Sequence, residues 1–551
     1  MLNRRAFNLS VLLAASAAAL RPDSVLARTQ DPDEILLNRL TFGATPGSRE
    51  RLSSLGRADW LKEQLSLPPD DRALMAHLRT LTLRIKYAQR KGKSGPLWAA
   101  TDELRPLDML HTPPEERLKL TQNEPARAGP ERRRPAHEVI AASLPRAVHA
   151  EAQLREVMTQ FWHDHFNVYA EKGRLSAAFF PDFDRDLRAH ALGNFRELLG
   201  KVATAPSMLD YLDNSRSKAS PANENFAREL LELHTLGAEN YHNAQSADWR
   251  DVPRIEGDLA AGYVDEDVYE VARAFTGWSI GVGRRIGSAH LPATGQFAYV
   301  ASWHDPYQKR ILGRDFSSNR APMADGEEVL DMLATHPGTA RFICRKIARR
   351  LLIDDPSDAL VARLAKEFLR RSEAPDQIGR VIRTLVEDPE FADTSPSKLR
   401  RPFELLAALY RTSGARVGSP EGRFYWQLAS GGWRQHMFPP PTGHPDRTED
   451  WASSTVMVRM IEMAMSAHEP WFDTTRDRLD ALMPKDVETF GDLTRHWARQ
   501  AHGDPGDGLD DLLQAVGVTP EDPLPKDAGD QRHLAAMALT FAAMSPRYLY
   551  R

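Results

Sequence analysis

The sequence predicts a mainly α-helical protein, a multi-helical, bundle-like core with one β-hairpin inserted near residues 296–313. Three observations carry this reading. Apolar residues recur with helical rather than strand period over most of the chain. Helix starts and stops are marked by Ser, Asp, Pro and Gly at the offsets that capping requires. The single cysteine, Cys344, leaves stability to packing, because no intrachain disulfide can form. With 551 residues a substantial core is available, and two or three subdomains are expected.

In chain order, residues 1–27 have the layout of a twin-arginine export signal. Asn3-Arg4-Arg5-Ala6-Phe7-Asn8-Leu9 leads into an apolar run from Leu9 to Leu20 and a small-residue exit at Val25-Leu26-Ala27. The run is shorter than the roughly 17 to 25 apolar residues that cross a bilayer. The mature chain is therefore expected to begin near Arg28, without a membrane span, and to be periplasmic or secreted. Losing Arg4, Arg5, Arg21 and Asp23 moves the net charge from −4 to about −6. A mildly acidic chain of mixed signs has no general attraction for nucleic acid, and none is expected as a partner.

Residues 28–90 make an N-terminal helical segment. Asp31-Pro32 opens a helix through Leu40, the turn Phe42-Gly43-Ala44-Thr45-Pro46 ends it, and a second helix through Trp60, Leu61 and Leu65 stops at Pro68-Pro69. Over 91–136 periodicity fades, Pro113, Pro114, Pro125 and Pro130 accumulate, and Arg132-Arg133-Arg134 form a basic cluster. An exposed Pro/Arg-rich insertion or linker is expected there. Residues 137–415 form the helical core with the candidate site, with helices over 137–166, 182–201, 221–236 and 266–276. The third is marked by Ser220 and Pro221 at its start and Gly237 past its end. Phe297-Ala298-Tyr299-Val300, then His304-Asp305-Pro306, then Ile311-Leu312-Gly313 predict the hairpin. Further helices are expected over 339–353, 356–371, 378–387 and 398–412. A C-terminal helical segment, 416–551, follows, with the Pro-rich loop Phe438-Pro439-Pro440-Pro441-Thr442-Gly443.

Two blocks mix imidazole and carboxylate with large apolar side chains: Phe161-Trp162-His163-Asp164-His165-Phe166, and Asn223 to His234. Burying such groups costs free energy unless each is paired or bound to a metal. His163 and His165 point the same way on an extended segment but sit about 200° apart on a helix, where they cannot readily share an ion. Otherwise His163 and Asp164 cap or bond neighbours while Trp162 and Phe166 form a core stripe. Glu229 and Glu232, three residues apart, repel unless a metal or an arginine such as Arg228 lies between them. His234 falls on the apolar face and needs a partner. Asp267, in a first helical turn, and His304 and Asp305, at the hairpin turn, are supporting candidates whose ordinary roles would be helix capping and an Asx-turn.

Other features are read as structural. Cys344 lies on a helical stripe with Ala340, Ile343, Ile347 and Leu351 and is expected to be a buried thiol. Asp182, Asp184 and Asp186 lack the glycine that a calcium loop needs, with Leu187 in its place. The face of Arg341, Arg345, Lys346, Arg349 and Arg350 could hold a polyanion, but with Asp354 and Asp355 nearby a solvated or salt-bridged face is expected. No P-loop, dinucleotide fingerprint, nucleophile elbow or His-Glu-x-x-His helix is present, which argues against several common enzyme classes.

Read together, Leu36 to Gly43, Phe161 to Phe166, Met208 to Asn214, Asn223 to Gly237, Asp267 to Trp278, His304-Asp305 with Lys309 and Leu312-Gly313, and Lys398 to Glu404 resemble one bacterial family of exported proteins, catalogued as domain of unknown function 1800. The stretch Gly431 to His436 departs from the Gly-Gln pair of that pattern. The resemblance brings no reaction with it. It implies a companion, since members are often encoded beside a secreted sulfatase- or phosphatase-like protein. Two functions are therefore expected to compete. One is a periplasmic enzyme, a hydrolase or oxidoreductase, with a divalent metal ion held by His163, His165, Glu229, Glu232 and His234. Its catalytic set would be His163, His165, Glu229, His234, Asp267, His304 and Asp305. The other is a non-catalytic binding or maturation partner of the co-exported protein.

Overall fold

Helices are the dominant element of the molecule, and most of the apolar positions that predicted them converge on one large core running from Leu36 to Leu549, with two smaller clusters beside it. The computed structural model describes residues 31–69, 71–93, 95–123, 125–243, 249–286, 289–420, 422–466, 483–484, 486–503, 513–514 and 517–551. The export signal expected at 1–27 lies outside them. Among the described residues no helix is long and apolar enough to cross a membrane.

The N-terminal helices Pro32–Leu40, Pro46–Leu55 and Arg57–Ser66 follow their caps: Asp31 accepts from the Asp33 amide, and Thr45 forms a capping box with Ser48. The expected loop over 91–136 is mostly ordered structure. Thr82–Tyr87 pairs antiparallel with Thr101–Pro106, and a smaller pair, Arg90–Gly92 with Gly95–Trp98, caps that ribbon. Pro130 does not break structure; it occupies the first turn of the helix Gly129–His149, where its missing N–H costs nothing. The arginine cluster opens that helix. Arg132 donates to the carbonyls of Leu120 and Gln122, and buried Arg134 pairs with Glu138 at 2.7 Å. Its charge is spent on the protein itself.

The expected helix over 137–166 divides at Ala150-Glu151-Ala152 into Gly129–His149 and Gln153–His165. Arg174–His190 and Phe195–Thr204 follow, so the three aspartates of the rejected calcium loop are helical; Asp182 pairs with Arg117 and Arg185, and Asp184 with Arg188. The 221–236 segment is an α-helix only over Glu224–Glu229, capped by Asn223, and continues as a π-helix over Leu230–Thr235. The strand pairing near 296–313 also differs from the expected single hairpin. Phe297–Tyr299 pairs with Trp278–Ile280, and Lys309–Ile311 turns back on Arg314–Phe316. Strands of three residues carry too little pattern to choose their partners. The helices Pro337–Leu351, Asp358–Arg370, Gln377–Glu387 and Pro402–Ser413 complete the central layer, with Cys344 fully buried and its thiol pushed up by desolvation.

Candidate functional site

The helix Gln153–His165 delivers its histidines in opposite directions, as the 3.6-residue period requires. His163 turns to Asp184, with Nε2 at 3.0 Å from Oδ1, and its ring lies 4.1 Å from that of His436. His436 in turn accepts from Gln435 Nε2 and contacts the Ser143 hydroxyl, each at 3.0 Å. His165 points the other way and donates from Nε2 to the backbone carbonyl of His234 at 3.1 Å. This leaves Nδ1 as the lone-pair nitrogen, unpartnered among the described residues.

Asp164, between them, anchors a buried ionic cluster. Its carboxylate accepts from Arg401 at 2.9 Å and from His444 Nδ1 at 3.2 Å. Burial opposes the charge, but these two partners hold the carboxyl well below its usual range. Arg401 also pairs with Glu404 at 2.8 Å, and Arg350 shares that glutamate. His444 accepts the Arg434 amide on Nε2 at 3.1 Å and stacks on Trp433 with ring centres 4.1 Å apart, so both its nitrogens are used. The loop carrying His444 comes this close because Gly443 lacks a side chain. Its φ is +69°, and a Cβ would lie 1.9 Å from the Asp164 carbonyl oxygen.

These groups surround a cavity of about 240 Å³ lined by Phe161, Asp164, His165, Lys346, Arg349, Arg350, Arg401, Thr442, His444 and the turn from Pro445 to Arg447, with Asp450 at its edge. Five cationic side chains face three carboxylates in that lining. Most are paired with each other or with neighbours: Arg447 binds Asp355 at 2.6 Å, and Lys398 behind the wall binds Asp354 at 2.8 Å and Asp446 at 3.3 Å. Two are not. Lys346 has no ion pair or hydrogen bond among the described residues, and Arg349 donates only to the Asp354 carbonyl at 2.8 Å. Desolvation lowers the Lys346 ammonium to about 8, against the pull of Asp446 and Asp164. His165 is driven well below its ordinary value by burial and by the Lys346 charge. The same two causes lower His234 to about 3.

Of the residues predicted from sequence, only His165 lines this cavity. His234 is fully buried behind it, ring centres 6.3 Å apart, with neither ring nitrogen partnered among the described residues. Glu229 and Glu232 lie side by side and half-buried; desolvation, then Glu232, raises Glu229 to about 6. Arg228 answers them only in part, reaching Glu224 at 3.7 Å and Asp265 at 3.3 Å. Asp267 accepts the amides of Val264 at 3.0 Å and Leu312 at 2.7 Å, tying a helix start to a tight turn. His304 bonds the Thr276 carbonyl at 3.0 Å and faces Asp325, and Asp305 holds Arg273 through two oxygens at 2.8 and 3.1 Å. The predicted metal set is thus dispersed. Among the described residues no three His, Cys, Asp or Glu groups are gathered to hold an ion. The lysine beside His165 and His234 further disfavours a cation there.

Lys346, Arg349, Arg401 and His444 are the residues that sequence reasoning did not place in a site. Lys346 and Arg349 belong to the cationic face read as solvated, and Arg401 to the Lys398–Glu404 stretch. His444 stands just beyond the Pro-rich loop and carries no local signal. Arg345 of that face does behave as expected, pairing with Asp358 at 2.8 Å.

Comparison with known proteins gives one match: a family model described as Protein of unknown function (DUF1800) covers residues 35–550. No match is found among curated proteins or among solved structures.

Proposed function

The chain belongs to the DUF1800 family, and for this member we propose an exported protein that binds a small anion, or the anionic group of a larger ligand, in the cavity between Lys346, Arg349 and Arg401. The observation that carries this is the pair of cations, Lys346 and Arg349, that have no ion pair among the described residues on one wall of a 240 Å³ space, where only the exposed Asp450 at its edge is likewise unpaired. A tetrahedral oxyanion or a carboxylate supplies the acceptors that Lys346 and Arg349 lack. The neutral His165, with its lone-pair nitrogen beside the same cavity, favours a ligand that also carries a hydroxyl.

Export by the twin-arginine route is part of the proposal and rests on the layout of residues 1–27. A sulfate- or phosphate-bearing ligand is also what a sulfatase- or phosphatase-like companion would handle, so the partner reading points to the same ligand class.

Titration calorimetry of the purified protein with sodium sulfate tests the proposal. Saturable binding is expected, weakened about tenfold or more in Lys346→Met, the size of one lost charge-assisted contact, and retained in Lys346→Arg. Absence of saturable binding, or equal affinity in Lys346→Met, contradicts it.

A further inference from the structure

A second concavity lies on the far side of the Trp433–His444 stretch, between the ribbon Thr82–Tyr87/Thr101–Pro106, the helix Gly129–His149 and the helix Gly422–Ser430. Its volume is about 690 Å³, in the range of sites that enclose small organic ligands. Its walls are mostly apolar: Leu83 and Leu104 from the ribbon, Ile140 from the long helix, Tyr425 and Met437 opposite. A methionine in such a wall adapts its shape to what it meets. Leu104 is 64% exposed at the mouth, and Trp426, next to Tyr425, is 65% exposed. A bound apolar body would remove the Leu104 surface from water.

The polar groups of this cleft are not balanced. His137 and Glu171 satisfy one another, and Tyr425 donates its hydroxyl to the Ile140 carbonyl at 3.0 Å. Arg84 and Lys86, on the ribbon face, both pair with Asp102, at 2.7 and 3.0 Å. Arg434 lines the cleft from an exposed position, and its guanidinium has no ion-pair or hydrogen-bond partner among the described residues. Apolar walls with an excess of positive charge at the rim describe a receptor for an amphipathic anion.

We infer that this cleft binds an acyl or aryl carboxylate, with the hydrocarbon body against Leu83, Leu104, Ile140 and Met437 and the carboxylate at Arg434. The site is separate from the anion cavity: one faces Arg434 and Gln435, the other Thr442 and His444. Its occupancy therefore does not depend on the function proposed above.

Calorimetric titration with decanoate, kept below micelle formation, tests the inference, with 1-decanol as the uncharged control. Saturable decanoate binding is expected, at least about tenfold tighter than decanol, as a charge-assisted contact implies. Arg434→Gln removes that advantage while leaving decanol binding unchanged, and Leu104→Asp weakens both ligands. Both positions are exposed, so the variants are expected to keep the wild-type melting curve, and sulfate binding in Arg434→Gln reports an intact fold independently. No saturable binding, equal affinity for decanoate and decanol, or indifference to Arg434→Gln overturns the assignment.

Discussion

Lys346 shows how a lysine on a cationic helix face becomes a binding group: partial burial removes much of its solvent, and Asp446 and Asp164 stand too far away to pair with it. Its ammonium is lowered to about 8 by desolvation, with Arg349 adding to the effect and Asp446, Asp164 and Glu239 opposing it. Only the charged form attracts an anion, so affinity for sulfate, which stays dianionic, is full below pH 8 and falls as pH rises through it. A titration series from pH 6.5 to 9.5 checks this, and a flat profile would remove Lys346 from the site. His234 is the opposite case. Fully buried and unpartnered among the described residues, lowered to about 3 by desolvation, it is neutral at any physiological pH. Replacing it in His234→Leu keeps the backbone carbonyl that His165 uses and removes two buried polar atoms. The protein is expected to be as stable as wild type or more stable by about 1–2 kcal/mol in urea denaturation. A large loss of stability, or of bound metal, would show that the imidazole has a partner after all.

At the scale of elements, the site depends on two irregularities that break the local pattern. The first is the loop at Gly443. Gly443→Ala strains a φ of +69° and drives a methyl group into the Asp164 carbonyl, so it is expected to cost about 2 kcal/mol or more and to abolish sulfate binding. Retained binding would mean the loop is not what shapes the cavity. The second is the π-helix Leu230–Thr235. There the Thr235 hydroxyl donates to the Leu230 carbonyl at 2.6 Å, five residues back, in a fully buried setting. Thr235→Val is expected to lose about 1 kcal/mol or slightly more by leaving that carbonyl short of a partner, measured by the same denaturation series. Neither irregularity is written in helical periodicity. The period correctly located the helices and sent His163 and His165 apart, but it made 221–236 one regular helix and grouped Glu229, Glu232 and His234 on that assumption. The ribbon at 82–106 was hidden for a different reason. Its first strand does alternate, Leu83, Ile85 and Tyr87 against Thr82, Arg84 and Lys86, but its partner Thr101–Pro106 is mostly charged and has a single apolar side chain, Leu104, before its closing proline, so the pairing has no matching signal on its second side.

On the scale of the whole molecule, the helix Pro32–Leu40 and the C-terminal residues near Tyr548–Arg551 are fastened to the same central segment around 391–400. Arg39 donates to the carbonyls of Phe391 and Thr394, Arg400 reaches Asn38 at 2.6 Å and the Tyr548 carbonyl at 2.9 Å, and Arg551 exchanges backbone bonds with Lys398. The cavity takes its walls from residues near 161–165, 346–350, 401 and 442–450, so it exists only when these distant segments fold together. That is why composition and spacing could announce a helical core with a polar site yet could not assemble the site: contacts across hundreds of residues leave no local trace. Mass of cationic and acidic groups was visible, and their pairing was not. The most direct test of the account is a crystal structure of the mature protein grown with selenate and measured at the selenium absorption edge. An anomalous peak beside Lys346 and Arg349, lost in Lys346→Met, is the predicted result. Selenate absent from that cavity in well-diffracting wild-type crystals would contradict it.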